Sequence, residues 1–314
     1  RDPQHLVDQV IKYWKVRLAQ VLPHKPDLIL LTEACDRPAG TTEEQFNYAK
    51  VRKNQVLDYF ASVAKENHCY IVFGTKREEN GVWWNSSIIL DREGKVAGIY
   101  NKNYPTIGEM EGIDATDIRT LSARDPETDT LPHIAPSDET PVFQCDFGKV
   151  ACVICFDLNF DELREKYATL QPDLILFSSM YHGALLQSQW AYSCQSYFAC
   201  AYGLVTAPSE IRDPLGEVVA TSTNYYHYAV ATINLDRKIA TLDNNWEKLA
   251  ALKTKYGDKV TITNPGKIDG ALIMSEHETV TADDMVEEFE IELLRDYFNR
   301  SGEYRLRHLK LKNH

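Results

Sequence analysis

Pro26-Asp27-Leu28-Ile29-Leu30 recurs, residue for residue, as Pro172-Asp173-Leu174-Ile175-Leu176. Each copy is a short, continuous apolar run of the kind that fills a buried strand. Each also follows a stretch that reads as helix. Val7, Val10, Trp14, Leu18 and Val21 recur at helical spacing over residues 5–22, and residues 159–170 supply the second case. A helix feeding the same strand twice predicts two related halves with internal pseudo-symmetry. The chemistry is not duplicated, because Thr32-Glu33 in the first copy aligns with Ser178-Ser179 in the second.

Working outward, a second helix is expected over residues 43–66, with Phe46, Phe60 and Ala64 among its apolar positions. Residues 69–74 (CYIVFG), 86–91 (SSIILD), 149–155 (KVACVIC), 203–209 (GLVTAPS) and 229–236 (AVATINLD) read as strands. Asn80-Gly81 marks a tight turn between the first two, and Arg92-Glu93-Gly94-Lys95 the next. Strands alternating with helices give an α/β protein, and the tight turns predict mixed sheets. Residues 110–141, rich in Asp, Thr and Pro, form a long loop of the sort used as a lid, an interface element or a mobile segment. We place one domain over 1–280. Over 281–314 we expect a helix from Asp283 to Asn299, opened by Thr281 with Asp284 three residues on. The basic end that follows (Arg305, Arg307, Lys310, Lys312) reads as an oligomer arm or a loosely held terminus.

Composition narrows the class. Apolar residues make up 44% and charged ones 25%, a globular balance in a 314-residue chain long enough to bury a substantial core. A net charge of −12 argues against nucleic-acid partners and anionic membrane surfaces. No apolar run approaches the ~20 residues of a membrane span, and the first residues show no signal segment. Seven cysteines, an odd number without His partners at zinc spacing, suit a reducing compartment, the cytoplasm. Asn85-Ser86-Ser87 and Asn299-Arg300-Ser301 match the glycosylation acceptor pattern, which we read as chance.

Glu33, Lys102 and Cys155 each sit where a buried apolar run gives way to a polar loop. A carboxylate, an ammonium and a thiol together make a base, an oxyanion partner and a nucleophile. Each also has a plain structural reading: a strand-end charge, a solvated turn lysine and a buried strand thiol like Cys152. The segments around them decide between the two. DLILLTEA (27–34), WWNSSIILDREGKVAGIYNKNYPTIGE (83–109) and GKVACVICFDLNFDELR (148–164), with SEIRDPLGEVVA (209–220) as a weaker fourth, resemble the signature blocks of the nitrilase superfamily of carbon–nitrogen hydrolases. The likeness runs over nearly the whole chain.

That resemblance implies a four-layer α-β-β-α sandwich, and subunits that pair through helices into a homodimer or larger homo-oligomer. It implies Cys155 as nucleophile, Glu33 as general base, Lys102 as the family lysine and Glu109 as the second glutamate, in preference to nearby Glu111. It also implies an oxyanion held by Lys102 and the backbone N–H of Phe156, and no metal or organic cofactor. Tyr104, Phe156, Tyr181 and His182 are candidate substrate contacts, although Tyr104 and Tyr181 fit a core equally and a loop histidine is more often structural. Asp157, Asn159 and Glu162 follow the nucleophile and are placed to orient its loop, although Glu162 and Arg164 fit a helix-surface pair equally. Phe156-Asp157 after the cysteine looks more like the amidase and carbamoylase branches than the Trp-Glu of the nitrilase branch. The expected reaction is hydrolysis of a small linear amide or N-carbamoyl compound with release of ammonia. Nitrile hydrolysis is the runner-up, followed by a non-catalytic small-molecule binder and a Cys–His protease. Three departures stand out: no strand precedes the first helix, residues 187–203, read as a helix, lack the Arg and Glu many members carry, and the 110–141 segment is long.

Overall fold

The structure is a computed structural model describing residues 2–38, 42–112, 133–264 and 266–311. It divides into two compact units, 1–231 and 232–314.

The first unit holds two sheets. One has the order β1-β2-β3-β4, from Leu28–Leu30, Tyr70–Glu79, Val82–Leu90 and Val96–Asn101. β1 runs parallel to β2, and the remaining pairs are antiparallel, so β1 and β4 end at the same edge. The other has the order β10-β9-β8-β7-β6-β5, from Val142–Cys145 (β5), Gly148–Ile154 (β6), Leu174–Ser179 (β7), Tyr197–Tyr202 (β8), Glu210–Arg212 (β9) and Val218–Thr221 (β10). Its centre, β6-β7-β8, is parallel.

Period-two alternation divides each strand between two cores. Ile71 and Phe73 of β2 pack with Leu6, Val7 and Val10 of α1 (Pro3–Val21) and with Val56, Phe60 and Val63 of α3 (Gln55–Asn67). Ala151, Val153, Ile175 and Phe177 pack with Leu163 and Tyr167 of α5 (Asp161–Leu170) and Trp190 of α6 (Leu185–Cys194). The other faces of the sheets meet each other. Tyr70 lies edge-on to Phe147 at 5.2 Å, and Ser178 Oγ donates to the Leu31 carbonyl at 2.8 Å. A Cβ on Gly98 would lie 2.2 Å from the Phe143 ring, so only glycine lets β4 and the second sheet approach this closely. Helices, sheet, sheet and helices make the α-β-β-α order expected. At the Asn80-Gly81 turn both residues have positive φ (54° and 80°), as the tight hairpin requires.

Four local expectations are corrected. The 43–66 helix is two, α2 (Thr42–Arg52) and α3, because the chain turns at Lys53 with φ 43°. Residues 187–203 are not one helix: α6 ends at Cys194, Gln195 takes a left-handed φ of 53°, and 197–202 become β8. Apolar residues buried on both sides read alike as helix or inner strand, which is why pattern alone missed this. Residues 203–209 and 229–236 are irregular despite their β-branched content. Of the 110–141 loop, 113–132 lie outside the described residues, as does Lys312 of the basic end.

In the second unit β11 (Arg237–Ala240), β13 (Ala271–Ser275) and β12 (Val260–Thr263) form an antiparallel sheet in the order β11-β13-β12. α7 (Trp246–Tyr256) and α8 (Ala282–Glu288) cover it through Leu249, Leu252 and Met285. Thr281 and Asp284 form the expected capping box. The 283–299 helix is interrupted after α8, and α9 (Leu294–Leu311) begins anew. Among the described residues no helix is long and apolar enough to cross a membrane.

Candidate active site

Glu33, Lys102 and Cys155, far apart in sequence, meet where strands of both sheets end. Lys102 follows β4. Its N–H donates to the Asn85 carbonyl (2.8 Å), and its carbonyl accepts from Ser137 N (3.1 Å). With the backbone pinned on both sides, the ammonium, 1% exposed, reaches Glu33 Oε1 and Glu109 Oε2, each at 2.9 Å. Burial alone would lower the Lys102 pKa, but the two carboxylates outweigh it and raise it, so Lys102 stays charged.

Glu109 is presented by a single helical turn, α4 (Ile107–Met110), which Thr106 opens. The Thr106 hydroxyl accepts from Glu109 N, and the Glu109 carboxylate accepts from Thr106 N at 2.9 Å. Burial pushes the Glu109 pKa up. Lys102, Lys76 and the Thr106 N–H together overcome that and hold it below the usual range. Asn85 on β3 joins the two carboxylates, its amide donating to Glu33 Oε1 and to Glu109 Oε1, both at 2.8 Å. At 1% exposure with both amide hydrogens committed, Asn85 is a member of the site and not a glycan acceptor.

Cys155 comes straight after β6, and its φ of 47° is a left-handed value that turns the chain sharply. Asp157 holds this turn. It accepts from Ile154 N (3.0 Å), Tyr104 N (2.7 Å) and Tyr100 OH (2.8 Å), tying the Cys155 turn to the segment after Lys102. Burial raises the Asp157 carboxyl to about 6. The Cys155 thiol lies near the Ser179 and Glu33 side chains, which act on its pKa in opposite directions, Ser179 lowering and Glu33 raising it. Burial first, then the Glu33 charge, push its pKa up to about 12 against the pull of Lys102. Glu33 Oε2 accepts from Met180 N at 3.2 Å.

The remaining candidates lie at different depths. Phe156 and Tyr181, 38% and 39% exposed, flank the Cys155 turn and the Ser179 turn. The Tyr104 ring stacks on Phe160 at 3.7 Å and is half-buried. His182 accepts from Ala184 N at 3.1 Å, faces Glu210 Oε2 at 3.4 Å and meets the Tyr202 ring edge-on at 5.7 Å. Glu162 reaches Lys166 on the surface of α5. Asn85 and Ser179 escaped the sequence reading. Asn85 sits in a quoted block, and Ser179 occupies the place in the second Pro-Asp-Leu-Ile-Leu copy that Glu33 holds in the first.

The carbon–nitrogen hydrolase family model matches residues 2–241. The chain belongs to that family. It is a carbon–nitrogen hydrolase enzyme. Among curated relatives, the omega-amidase NIT2 of Mus musculus is 24% identical over 253 residues, 75% of this chain and 85% of the relative. Omega-amidase NIT2-A of Xenopus laevis is 27% identical over 66% of this chain and 76% of its own. The fold matches a carbon–nitrogen hydrolase from Helicobacter pylori G27 (TM-score 0.56, 14% identity, 71% of this chain and 82% of that one). It also matches Saccharomyces cerevisiae Nit3 of the nitrilase superfamily (TM-score 0.54, 18% identity, 73% and 83%).

Proposed function

We propose that this carbon–nitrogen hydrolase cleaves a small linear amide or N-carbamoyl compound through a thioester on Cys155. The observation that carries the reading is the hydrogen-bonded cluster itself. The Glu33 carboxylate is near enough to the Cys155 thiol to raise its pKa, and that carboxylate is bonded to a buried ammonium 2.9 Å away.

With the Cys155 pKa near 12, the resting group is a thiol and not a thiolate. Attack on the amide carbon therefore requires a base at the moment of bond formation, and Glu33 takes the proton. Negative charge develops on the carbonyl oxygen, beside the Lys102 ammonium and the Phe156 N–H. Donors of this kind contribute about 3–4 kcal/mol each in related chemistry. Collapse breaks the C–N bond as Glu33 returns its proton to the leaving nitrogen, so that neutral ammonia or amine departs. Water then attacks the thioester. Glu33 accepts its proton, Glu109 orients it, and the sulfur leaves with a proton from Glu33. Acid is released and the thiol restored.

Lys102 and Glu109 have separable tasks in this scheme. Glu109 shares the ammonium with Glu33, so neither carboxylate alone fixes the lysine. Asn85 spaces the two like charges. Asp157 acts through the backbone turn, keeping the left-handed Cys155 conformation in place, and is a positioning residue.

The test is ammonia release from a panel of linear amides, N-carbamoyl amino acids and nitriles, with intact mass read in parallel. Ammonia from amides or carbamoyl compounds, with an acyl adduct on Cys155, supports the reading. Release from nitriles alone moves the substrate to the other branch. Undiminished release by Cys155→Ala overturns the nucleophile.

A further inference from the structure

The donors around Glu33 fall unevenly on its two oxygens. An ionised carboxylate has about four acceptor directions, two on each oxygen. On Oε1 both are taken, by Lys102 Nζ at 2.9 Å and by Asn85 Nδ2 at 2.8 Å. On Oε2 one is taken, by Met180 N at 3.2 Å. The direction left for a proton is therefore on Oε2, and Cys155 lies close enough for Glu33 to act on its thiol.

Asn85 provides a second, independent observation. Its side chain, 1% exposed, gives its other amide hydrogen to Glu109 Oε1, also at 2.8 Å. The amide can lie only one way round, because reversing it would set its oxygen against two carboxylate oxygens. Its Oδ1 is then a buried acceptor with no hydrogen-bond partner among the described residues. A native core rarely leaves such an atom unpaired. A side chain that serves packing alone has no need of this loss, whereas one that donates twice to carboxylates incurs it. The backbone beneath it is rigid: Asn85 pairs with Lys76 of β2, and its carbonyl accepts from Lys102 N at 2.8 Å.

Resting on the mechanism above, we propose that Asn85 makes Glu33 a one-sided base. With Lys102 it saturates Oε1, so the thiol proton moves to Oε2 as the sulfur–carbon bond forms. The same proton leaves Oε2 for the nitrogen as the C–N bond breaks. Asn85 acts through Glu33 and is a positioning residue. Its hydrogen bond also favours the ionised carboxylate over the protonated one. The other charged and titratable groups around the two glutamates are Lys102 after β4, Lys76 on β2 and Cys155 after β6. All of them stay in place when Asn85 alone is replaced.

The experiment is a pH series of kcat and KM for ammonia release from butyramide and from N-carbamoylglycine. It compares the unmodified enzyme with Asn85→Leu, which removes both donors and keeps much of the volume. The acid limb of kcat/KM reports the free enzyme's essential base. Loss of a hydrogen bond to the charged form should move that limb to higher pH, by about one to two units. Activity should fall furthest at the acid end, and the fall should lie in kcat with KM little changed. Asn85→Ser, which supplies one donor at most, serves if the leucine variant does not fold, and a smaller shift in the same direction is then expected. An asparagine with a merely structural role would lower the melting temperature and leave the limb where it was. A limb that does not move therefore overturns the proposal, whatever the height of the plateau. Cys155→Ala keeps the two readings apart. Undiminished release by that variant removes the mechanism and the proposal together. Release lost in Cys155→Ala, with an unmoved limb in Asn85→Leu, removes the proposal alone.

Discussion

Glu33 and Ser179, the residues at equivalent places in the two Pro-Asp-Leu-Ile-Leu copies, both act on the Cys155 thiol, the first raising its pKa and the second lowering it. They come from opposite sheets, since β1 belongs to the four-stranded sheet and β7 to the six-stranded one. The repeat therefore brings two equivalent strand ends to one point, where they differ in chemistry, a carboxylate in one and a hydroxyl in the other. Lys102 completes the arrangement from β4, whose end lies at the same edge as that of β1.

Lys102→Met should be costly twice over. It leaves Glu33 and Glu109 buried and facing one another, and breaking a buried ion pair in this way costs about 3–5 kcal/mol. Urea unfolding should register that loss, and kcat should fall by at least ~10²-fold with the oxyanion donor gone. Adding Glu33→Gln should recover part of the stability and none of the turnover. Recovery of turnover would place the role of Lys102 in folding alone.

Gly74→Ala tests how tightly the Glu33 turn is held. A Cβ there would lie 2.6 Å from the Thr32 carbonyl oxygen and 2.7 Å from Ala34 N and Glu33 Cα. All three are backbone, so no side chain can rotate away and the turn itself must move. Overpacking of this kind costs about 1–3 kcal/mol, and misplacing a catalytic group by about 1 Å costs ~10² in rate. The variant should fold with a lower urea midpoint and lose kcat more than it gains in KM. Unchanged kcat would mean that Glu33 tolerates displacement.

Much of this was legible in the sequence because buried strand ends announce themselves. VACVIC running into FDLN, and LILL into TE, mark Cys155 and Glu33 without a structure. Asn85 was not legible, because its role depends on two carboxylates more than twenty residues away on either side. Nor was the end of α6, since Gln195 adopts its left-handed conformation without the glycine or asparagine that usually signals one. β8 beyond it, buried on both faces, has no polar alternation to betray its period. The Asp36–Arg52 pair was hidden for the same reason as Asn85: pairing across elements leaves no local pattern.

The state of the Cys155 thiol gives a prediction in which two readouts move apart. Burial and the Glu33 charge hold its pKa near 12, so alkylation at neutral pH should be slow and should climb steeply with pH. Glu33→Gln removes the negative neighbour and leaves Lys102, so the alkylation midpoint should move to lower pH. The same variant should lose amide hydrolysis, because the proton acceptor has gone. Alkylation rates across a pH series, beside ammonia release, check this. Slower alkylation together with slower hydrolysis would mean that Glu33 activates the thiol at rest.

Asp157 should leave a signature in the pH dependence of stability. Its carboxyl titrates at about 6 in the folded chain against 3.8 for an ordinary aspartate, with burial as the leading cause and its three donors and Lys102 only partly offsetting it. Because the folded pKa is raised, the folded state binds this proton more tightly than the unfolded state. The associated stability is fully present below pH 3.8 and is lost as pH rises through about 6. A shift of about two units corresponds to about 3 kcal/mol. Glu109, whose pKa is lowered, acts in the opposite direction over the acid range. The clean quantity is therefore the difference between the unmodified chain and Asp157→Asn, which cannot titrate. Urea midpoints taken from pH 4 to pH 7 should show the unmodified chain losing ground to the variant as pH rises, with the gap levelling off above about pH 6. A difference independent of pH would mean that Asp157 is ionised throughout and that its three donors fully compensate its burial.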